Sequence, residues 1–492
     1  MNFIVALCTL APLVAQVDTG AVNAWRQAHE KEILREFIPL IEIPNRAPDQ
    51  PNIRRNAELV RRMMNQRGIA TRLLELDGAP PVVFGEIKTP GAKRTLIFYA
   101  HYDGQPVDPR EWTSPPWTAV LRDAKGQTID LAGPFDRESR LYARSVSDDK
   151  APIMAMLAAI DAMKALGIPH QANLKFFFEG EEEAGSPHLE QFAKTYKELL
   201  AGDVWLICDG PVHQNRQPSL YFGVRGVTAV ELTVYGPKRE LHSGHYGNWA
   251  PNPAMMLSRL LATMTDGEGK VLVAGFYDDV VPMNAAERKA LLAVPAVDDQ
   301  LKEELGLVNT DGNGARLVER IMLPSLNVRG LESAGTGANA RNIVPAKAIA
   351  SLDLRLVKGN DHLRQVEKLR AHIRQQGYYL TNQEPTDEER HKYSKIARLT
   401  AREGYNAVRT SMDLPIAREV IATMKKTYPN LVLIPALGGS VPLWVFEQEL
   451  HTPLIGVPIA NHDNNQHSFN ENLRLANLWD GIVTMTTLLA MP

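Results

Sequence analysis

Three short apolar runs, each stopping on an acidic or imidazole residue, constrain this chain more than any other feature of it. Residues 95–100 (TLIFYA) end at His101, residues 174–178 (LKFFF) at Glu179, and residues 204–208 (VWLIC) at Asp209. Unbroken apolar runs of this length suit strands covered on both faces, as in α/β sheets, because a half-solvated strand would alternate. Between the first two, residues 151–166 (APIMAMLAAIDAMKAL) read as a strong helix, with Pro152 in its first turn where the missing N–H is no loss. Open α/β sheets place their sites just past the carboxyl ends of such strands. Five acidic or imidazole groups stand just past expected strand ends: His101, Asp103, Asp148, Glu183 and Asp209. A sixth, His467, follows the last strand-like run.

The rest of the chain divides around this pattern. A chain of 492 residues exceeds one ordinary core, so two domains are expected. Residues 24–74 read as helical, with Ile33, Phe37, Leu40 and Ile41 as apolar positions. Residues 230–235 and 349–357 instead alternate apolar and polar, as in a sheet with one wet face. Residues 252–264 and 363–373 read as amphipathic helices, the second carrying Leu363, Val366, Leu369 and Ile373. An acidic, irregular stretch at about 266–325 separates these two strand–helix patterns, and buried-type runs return at 431–434 and 454–457. The expected architecture is an α/β catalytic domain (21–216 and 395–492) interrupted by a small α+β lid (217–394) that carries the insertion at about 266–325.

Composition excludes some functions. The 54 basic and 57 acidic side chains nearly cancel, which leaves no electrostatic footprint for nucleic acid or anionic lipid. Residues 1–15 carry no charge and are rich in Ile, Val, Leu and Ala, too short a run to span a bilayer but suited to the apolar core of a signal peptide. A signal peptide over residues 1–20 implies a secreted or periplasmic protein; without one the protein is cytoplasmic. Removal of that segment takes Cys8 with it and leaves Cys208 alone, so no internal disulfide is expected.

Imidazole and carboxylate together suit zinc. Taken singly, each group has an ordinary alternative: a core histidine for His101, a solvated turn for the acidic residues at 179 and 181–183, a helix cap for Asp148-Asp149-Lys150. Their combination is more specific. His101-Tyr102-Asp103-Gly104-Gln105-Pro106, Ser147-Asp148-Asp149-Lys150 and Glu179-Gly180-Glu181-Glu182-Glu183-Ala184-Gly185-Ser186 occur in order, followed by Asp209 and His467. From about residue 24 onward this order resembles the acetylornithine deacetylase, succinyl-diaminopimelate desuccinylase and carboxypeptidase G family of metallopeptidases, most of all its carnosinase-like dipeptidase branch.

The resemblance implies a mixed-sheet zinc exopeptidase domain with an inserted ferredoxin-like lid and two zinc ions per subunit, other divalent metals being able to substitute. His101 and Asp209 would hold one ion, Glu183 and His467 the other, and Asp148 would bridge them. Glu182 would be the general base for a water shared by the metals. Adjacent Glu182 and Glu183 divide these roles if they lie in an extended turn, where neighbouring side chains point apart. Asp103 would orient the imidazole of His101, and the Asp148–Asp149 peptide bond would be cis. In the lid, His242 of Leu241-His242-Ser243-Gly244 would stabilise the oxyanion, reaching into a partner subunit's site, so a homodimer through the lid is expected. Arg355, with Gly439 and Ser440 of Gly438-Gly439-Ser440-Val441-Pro442, would grip a substrate carboxylate.

The sequence departs from the family at Ala143, Ser145 and Ala151, where glycines are usual, and in the unusual loop His462-Asp463-Asn464-Asn465-Gln466. Residues 404–410 also lack the histidine that carnosinase-type enzymes place near the substrate terminus, which leaves Tyr405 or Arg409 for that task. The expected activity is hydrolysis of dipeptides or small peptides with a free C-terminal carboxylate. The alternatives are an N-acyl or N-carbamoyl amino-acid hydrolase, since the same metals and base serve any amide, and a zinc-holding module without catalysis.

Overall fold

A computed structural model of the chain describes residues 17–492. The apolar segment at 1–15, with Cys8, lies outside the described residues apart from its expected boundary near residue 20. There helix α1 (Thr19–Ile41) has already begun, with the carboxylate of Asp18 accepting from the N–H groups of Gly20 and Ala21. Among the described residues no helix is long and apolar enough to cross a membrane.

The chain folds as two compact units. The first comprises the chain up to Ser219, Leu414–Leu431 and Val457–Pro492; the second comprises Leu220–Asp413 and Val432–Gly456. The C-terminal stretch from residue 395, expected to return whole to the catalytic domain, is thus shared between them.

In the first unit α1 is followed by helix α2 (Gln50–Gln66) and strands β1 (Ala70–Leu74), β2 (Val82–Ile87) and β3 (Thr95–His101). Helix α3 (Lys150–Leu166) then leads to β4 (Asn173–Glu179), and β5 (Val204–Ile207) comes last. The sheet order within the unit is β1-β2-β4-β3-β5; β3 runs parallel to β4 and β5, and the two outer pairings with β1 and β2 are antiparallel. The three apolar runs are strands, and β3, β4 and β5 are buried along nearly their whole length. Helix α3 is buried on almost every side because α1, the C-terminal helix Leu475–Leu489 and the sheet all pack against it. It ends at Gly167 (φ 67°), in the left-handed conformation that a C-terminal glycine adopts without a Cβ clash.

The helical reading of residues 24–74 holds for Ile33, Phe37, Leu40 and Ile41, all buried in α1, but fails at its end. Residues 70–74 form β1, which leaves α2 through a turn at Gly68 (φ 82°) and pairs with β2. Leu73 and Leu74 satisfy a helical count as readily as a short strand does, and only the partner strand decides between them.

The second unit is built on an α+β sheet. Its strands are β6 (Gly226–Tyr235), β7 (Ser325–Glu332), β8 (Lys347–Leu356), β9 (Tyr379–Leu380) and β10 (Ile396–Ala401), in the order β7-β8-β6-β10-β9. Helices Pro253–Leu261 and His362–Gln375 cover one face, and Val230, Leu232, Leu257, Leu260, Leu352, Leu369 and Ile373 meet in the core between them. Val366 lies in that core as expected, but Leu363 is 64% exposed, since it stands in the first turn on the margin of the apolar stripe. The stretch expected as an insertion holds three short helices, Ala285–Ala293, Asp298–Leu305 and Leu317–Ile321.

Candidate metal centre and carboxylate site

Strand register assembles the metal centre in the first unit. In the parallel pair β3/β4, His101 lies opposite Glu179, and in β3/β5, Tyr99 lies opposite Ile207. Continuing both registers past the strand ends puts Asp209 level with His101 and the acidic turn after Glu179 beside them. Two clusters result: His101, Glu182 and Asp209, and Asp148, Glu183 and His467, with ligand atoms within 4.8 Å of one another in each.

Asp148 connects the clusters. Its Oδ1 lies 3.1 Å from His101 Nε2 and its Oδ2 lies 3.3 Å from His467 Nε2. His467 Nε2 is also 3.2 Å from Glu183 Oε2. The ring of His101 is fixed from its other side, Nδ1 standing 3.2 Å from the Asp103 carbonyl oxygen and 3.4 Å from its carboxylate. A proton on Nδ1 serves both, and Nε2 faces a carboxylate oxygen, where burial opposes a second positive charge but Asp103 and Asp148 favour one. A cation between the two atoms satisfies that arrangement.

Charge points the same way. Burial pushes the Glu182 carboxyl well above the usual range, and Asp209, Glu183 and Asp103 add to this against the pull of His101. Burial, then Asp148, pushes Glu183 up to about 8, and burial pushes Asp209 up to about 6. Only Asp148 is held low: burial opposes its charge, but His101 and His467 outweigh it. The clusters contain four carboxylates and two imidazoles, a donor set of oxygen and nitrogen that two divalent ions would neutralise. The residues present therefore fit a pair of metal ions.

Asp103 does more than orient a ring. Its two carboxylate oxygens accept from the backbone N–H groups of Glu182 (3.0 Å) and Glu183 (3.1 Å), so one side chain fixes both the histidine and the acidic turn. That turn is not extended as the sequence suggested; Glu182–Ala184 is a 3-10 turn. Successive side chains on such a turn still diverge, by about a third of a revolution, and Gln105 Nε2 holds Glu183 by donating to its Oε2 at 2.7 Å.

Glu471 was not among the expected site residues, yet it organises the loop that carries Asp148. Its buried Oε1 accepts from Ser147 N, Ser147 Oγ and Asp148 N, and its Oε2 from Ser145 N and Arg144 Nη1, all at 2.8–3.0 Å. Standing four residues beyond His467, it ties the two ligand loops together. The only signal in the sequence was an acidic residue close behind a candidate ligand; its partners lie more than three hundred residues away along the chain.

The departures from glycine are accommodated locally. Ser145 has φ 63°, the left-handed region glycine prefers, and its hydroxyl donates to the Asp103 carbonyl oxygen. The space it occupies is that of a missing Cβ at Gly104, which would come within 2.0 Å of Ser145 Oγ. Ala143 and Ala151 are wholly buried, and the Asp148–Asp149 peptide bond is cis. In the unusual loop, Asp463 is gripped by Arg140 and Arg474, and Asn464 accepts from the N–H of Gln466.

The remaining expected residues belong to the second unit. Arg355 Nη1 donates to Ser440 Oγ at 2.8 Å and its Nε to Asp353 Oδ2 at 3.2 Å, so Arg355 and the glycine turn lie side by side. A Cβ at Gly439 would meet nothing within 4 Å, so the turn borders open space. His242 is exposed, and its Nδ1 accepts from the N–H of Gly244 at 3.1 Å. That bond leaves the proton on Nε2, ready to donate. Arg409, an alternative for the substrate terminus, is consumed in a buried pair with Glu287 and in bonds to the carbonyls of Val281 and Pro282.

Comparison with known proteins agrees with this geometry. Residues 97–491 match the model of peptidase family M20/M25/M40. The chain is 28% identical over 417 residues to a Cys-Gly metallodipeptidase of Schizosaccharomyces pombe, covering 83% of this chain and 82% of that protein. It is 26% identical over 411 residues to the Beta-Ala-His dipeptidase of Homo sapiens, covering 82% and 75%. Among solved structures, an M20 family metallo-carboxypeptidase of Sulfolobus solfataricus superposes with a TM-score of 0.76 at 28% identity, covering 94% of this chain and 99% of that one. The chain belongs to peptidase family M20/M25/M40 and is a metal-dependent peptidase.

Proposed function

We propose that the protein cleaves dipeptides or other small peptides with a free C-terminal carboxylate, within the carnosinase-like branch of its family and with two zinc ions as the resident metals. The observation that carries this reading is Asp148, whose two oxygens face the imidazoles of two separate ligand clusters. With Asp148 shared, His101 and Asp209 complete one set of three ligands, and Glu183 and His467 complete the other. Glu182, though close enough to be a ligand in the first cluster, is then spare for proton transfer. Bound ions would supply the positive charge that polarises a peptide carbonyl and acidifies water. Glu182 takes the proton of the attacking water and delivers it to the departing amine. Arg355, Gly439 and Ser440 hold the substrate carboxylate, and the Nε2–H of His242 meets the developing oxyanion, supplied from the partner subunit of a homodimer formed through the lid. The names of the yeast and human relatives, a Cys-Gly and a β-Ala-His dipeptidase, support a dipeptide substrate.

Export is part of the proposal and rests on the uncharged apolar run at residues 1–15. The test of substrate class is a panel of unblocked dipeptides and N-acetyl amino acids, assayed with zinc and after chelation. Metal-dependent cleavage of the dipeptides is expected. Turnover of the acylated amino acids alone would move the protein to the deacylases.

A further inference from the structure

Arg225 is a buried cation without an anionic partner. It lies just ahead of β6, 8% exposed, and its backbone N–H donates to the Gly439 carbonyl oxygen at 3.0 Å. Its Nη2 donates to the Leu323 carbonyl at 2.7 Å and to Ser325 Oγ at 3.0 Å, and approaches the Arg355 carbonyl at 3.5 Å. Its Nε is buried with no acceptor, and among the described residues no carboxylate pairs with it. Arg355, by contrast, is paired with Asp353, whose other oxygen is held by Asn327 Nδ2 at 2.9 Å. The cluster therefore contains two guanidinium groups and one carboxylate. Burial, then the charge of Arg355, pulls Arg225 down to about 10 against the weaker opposing influence of Asp353, which makes no ion pair with it, so it stays charged at neutral pH.

An unpaired buried charge is costly, and tying down the chain at residues 323–325 requires only a neutral donor. The penalty is removed when an anion arrives. We infer that Arg225 is a specificity-determining residue of the carboxylate site: Asp353 cancels the charge of Arg355, and the positive charge that a substrate's C-terminal carboxylate neutralises is that of Arg225. This rests on the reading of the protein as a peptidase of free C-termini. It assigns distinct tasks to the two arginines. Arg355 and Ser440 give directional hydrogen bonds, while Arg225, anchored to Gly439, gives the charge that separates an acid from its amide.

The test compares a dipeptide with its C-terminal amide, using wild type, Arg225→Gln and Arg225→Lys, with folding checked by melting temperature. Arg225→Gln keeps a donor for Leu323 and Ser325 but removes the charge. It should lower kcat/KM for the free dipeptide by about 10- to 100-fold, chiefly through KM, while changing the amide by less than about 3-fold. Arg225→Lys should retain most of the preference for the acid. An acid-to-amide ratio unchanged in Arg225→Gln, or an equal fall for both substrates, would overturn the inference and leave Arg225 a structural tie. Should the Gln variant fail to fold, Arg225→Met supplies the neutral comparison. A wild-type protein that cleaves no dipeptide would instead sink the peptidase reading, and this inference with it.

Discussion

Glu182→Ala should reduce kcat for dipeptide cleavage by about 10²- to 10⁴-fold, the range for loss of a general acid–base, while the purified variant still binds its metals. The two readouts must be taken together because Glu182 stands within reach of His101 and Asp209. If it were a ligand, the variant would lose metal and activity in parallel, and added zinc would restore part of the rate. If it moves protons, metal content stays at the wild-type level and excess zinc changes nothing. The ligand geometry favours the second outcome: with Asp148 shared, His101 and Asp209 complete one set of three ligands and leave Glu182 unused. Asp103, which binds the N–H of Glu182, keeps the turn in place when the side chain is truncated.

A second large effect concerns the partner subunit. Glu182→Ala lacks its base but still presents His242; His242→Ala keeps its base and metals but has no histidine to lend. If His242 acts across a dimer, each variant is inactive alone, yet a mixed dimer holds one complete site. Co-refolding equal amounts of the two should then recover about a quarter of wild-type activity, because half of randomly formed dimers are mixed and each has one working site of two. A mixture as inactive as its components, with subunit exchange verified by mass spectrometry, would place His242 in its own subunit's site, and an active His242→Ala alone would remove it from catalysis.

The sequence disclosed most about the places where local pattern and tertiary role coincide. His101 and Asp209 were legible because unbroken apolar runs must be buried strands, and parallel strands in register end at the same level. The alternation at 230–235 likewise marked Val230, Leu232 and Val234 as one core face, although Thr233 and Tyr235 on the other face, expected to be wet, are buried too. Residues 70–74 were misread because two leucines next to each other fit a helix as well as a strand until a partner is known. The conformation at 182–184 is set by Asp103, eighty residues earlier, accepting two N–H groups, which no window of sequence reveals. Glu471 and Arg225 escaped for a related reason. One is defined by five donors gathered from a distant loop, the other by the absence of a carboxylate. Both are facts of three-dimensional bookkeeping. Ser145 was flagged as a misfit, and its accommodation depended on a pairing with Gly104 that is visible only in the fold.

Two metal ions that share Asp148 should act as one centre, which a zinc titration of the metal-free protein reveals when bound metal and dipeptide hydrolysis are followed together. Activity that stays low through the first equivalent and reaches its plateau at two zinc ions per chain is the expected result. Full activity at one equivalent, or in the presence of a chelator that leaves the protein metal-free, would contradict it.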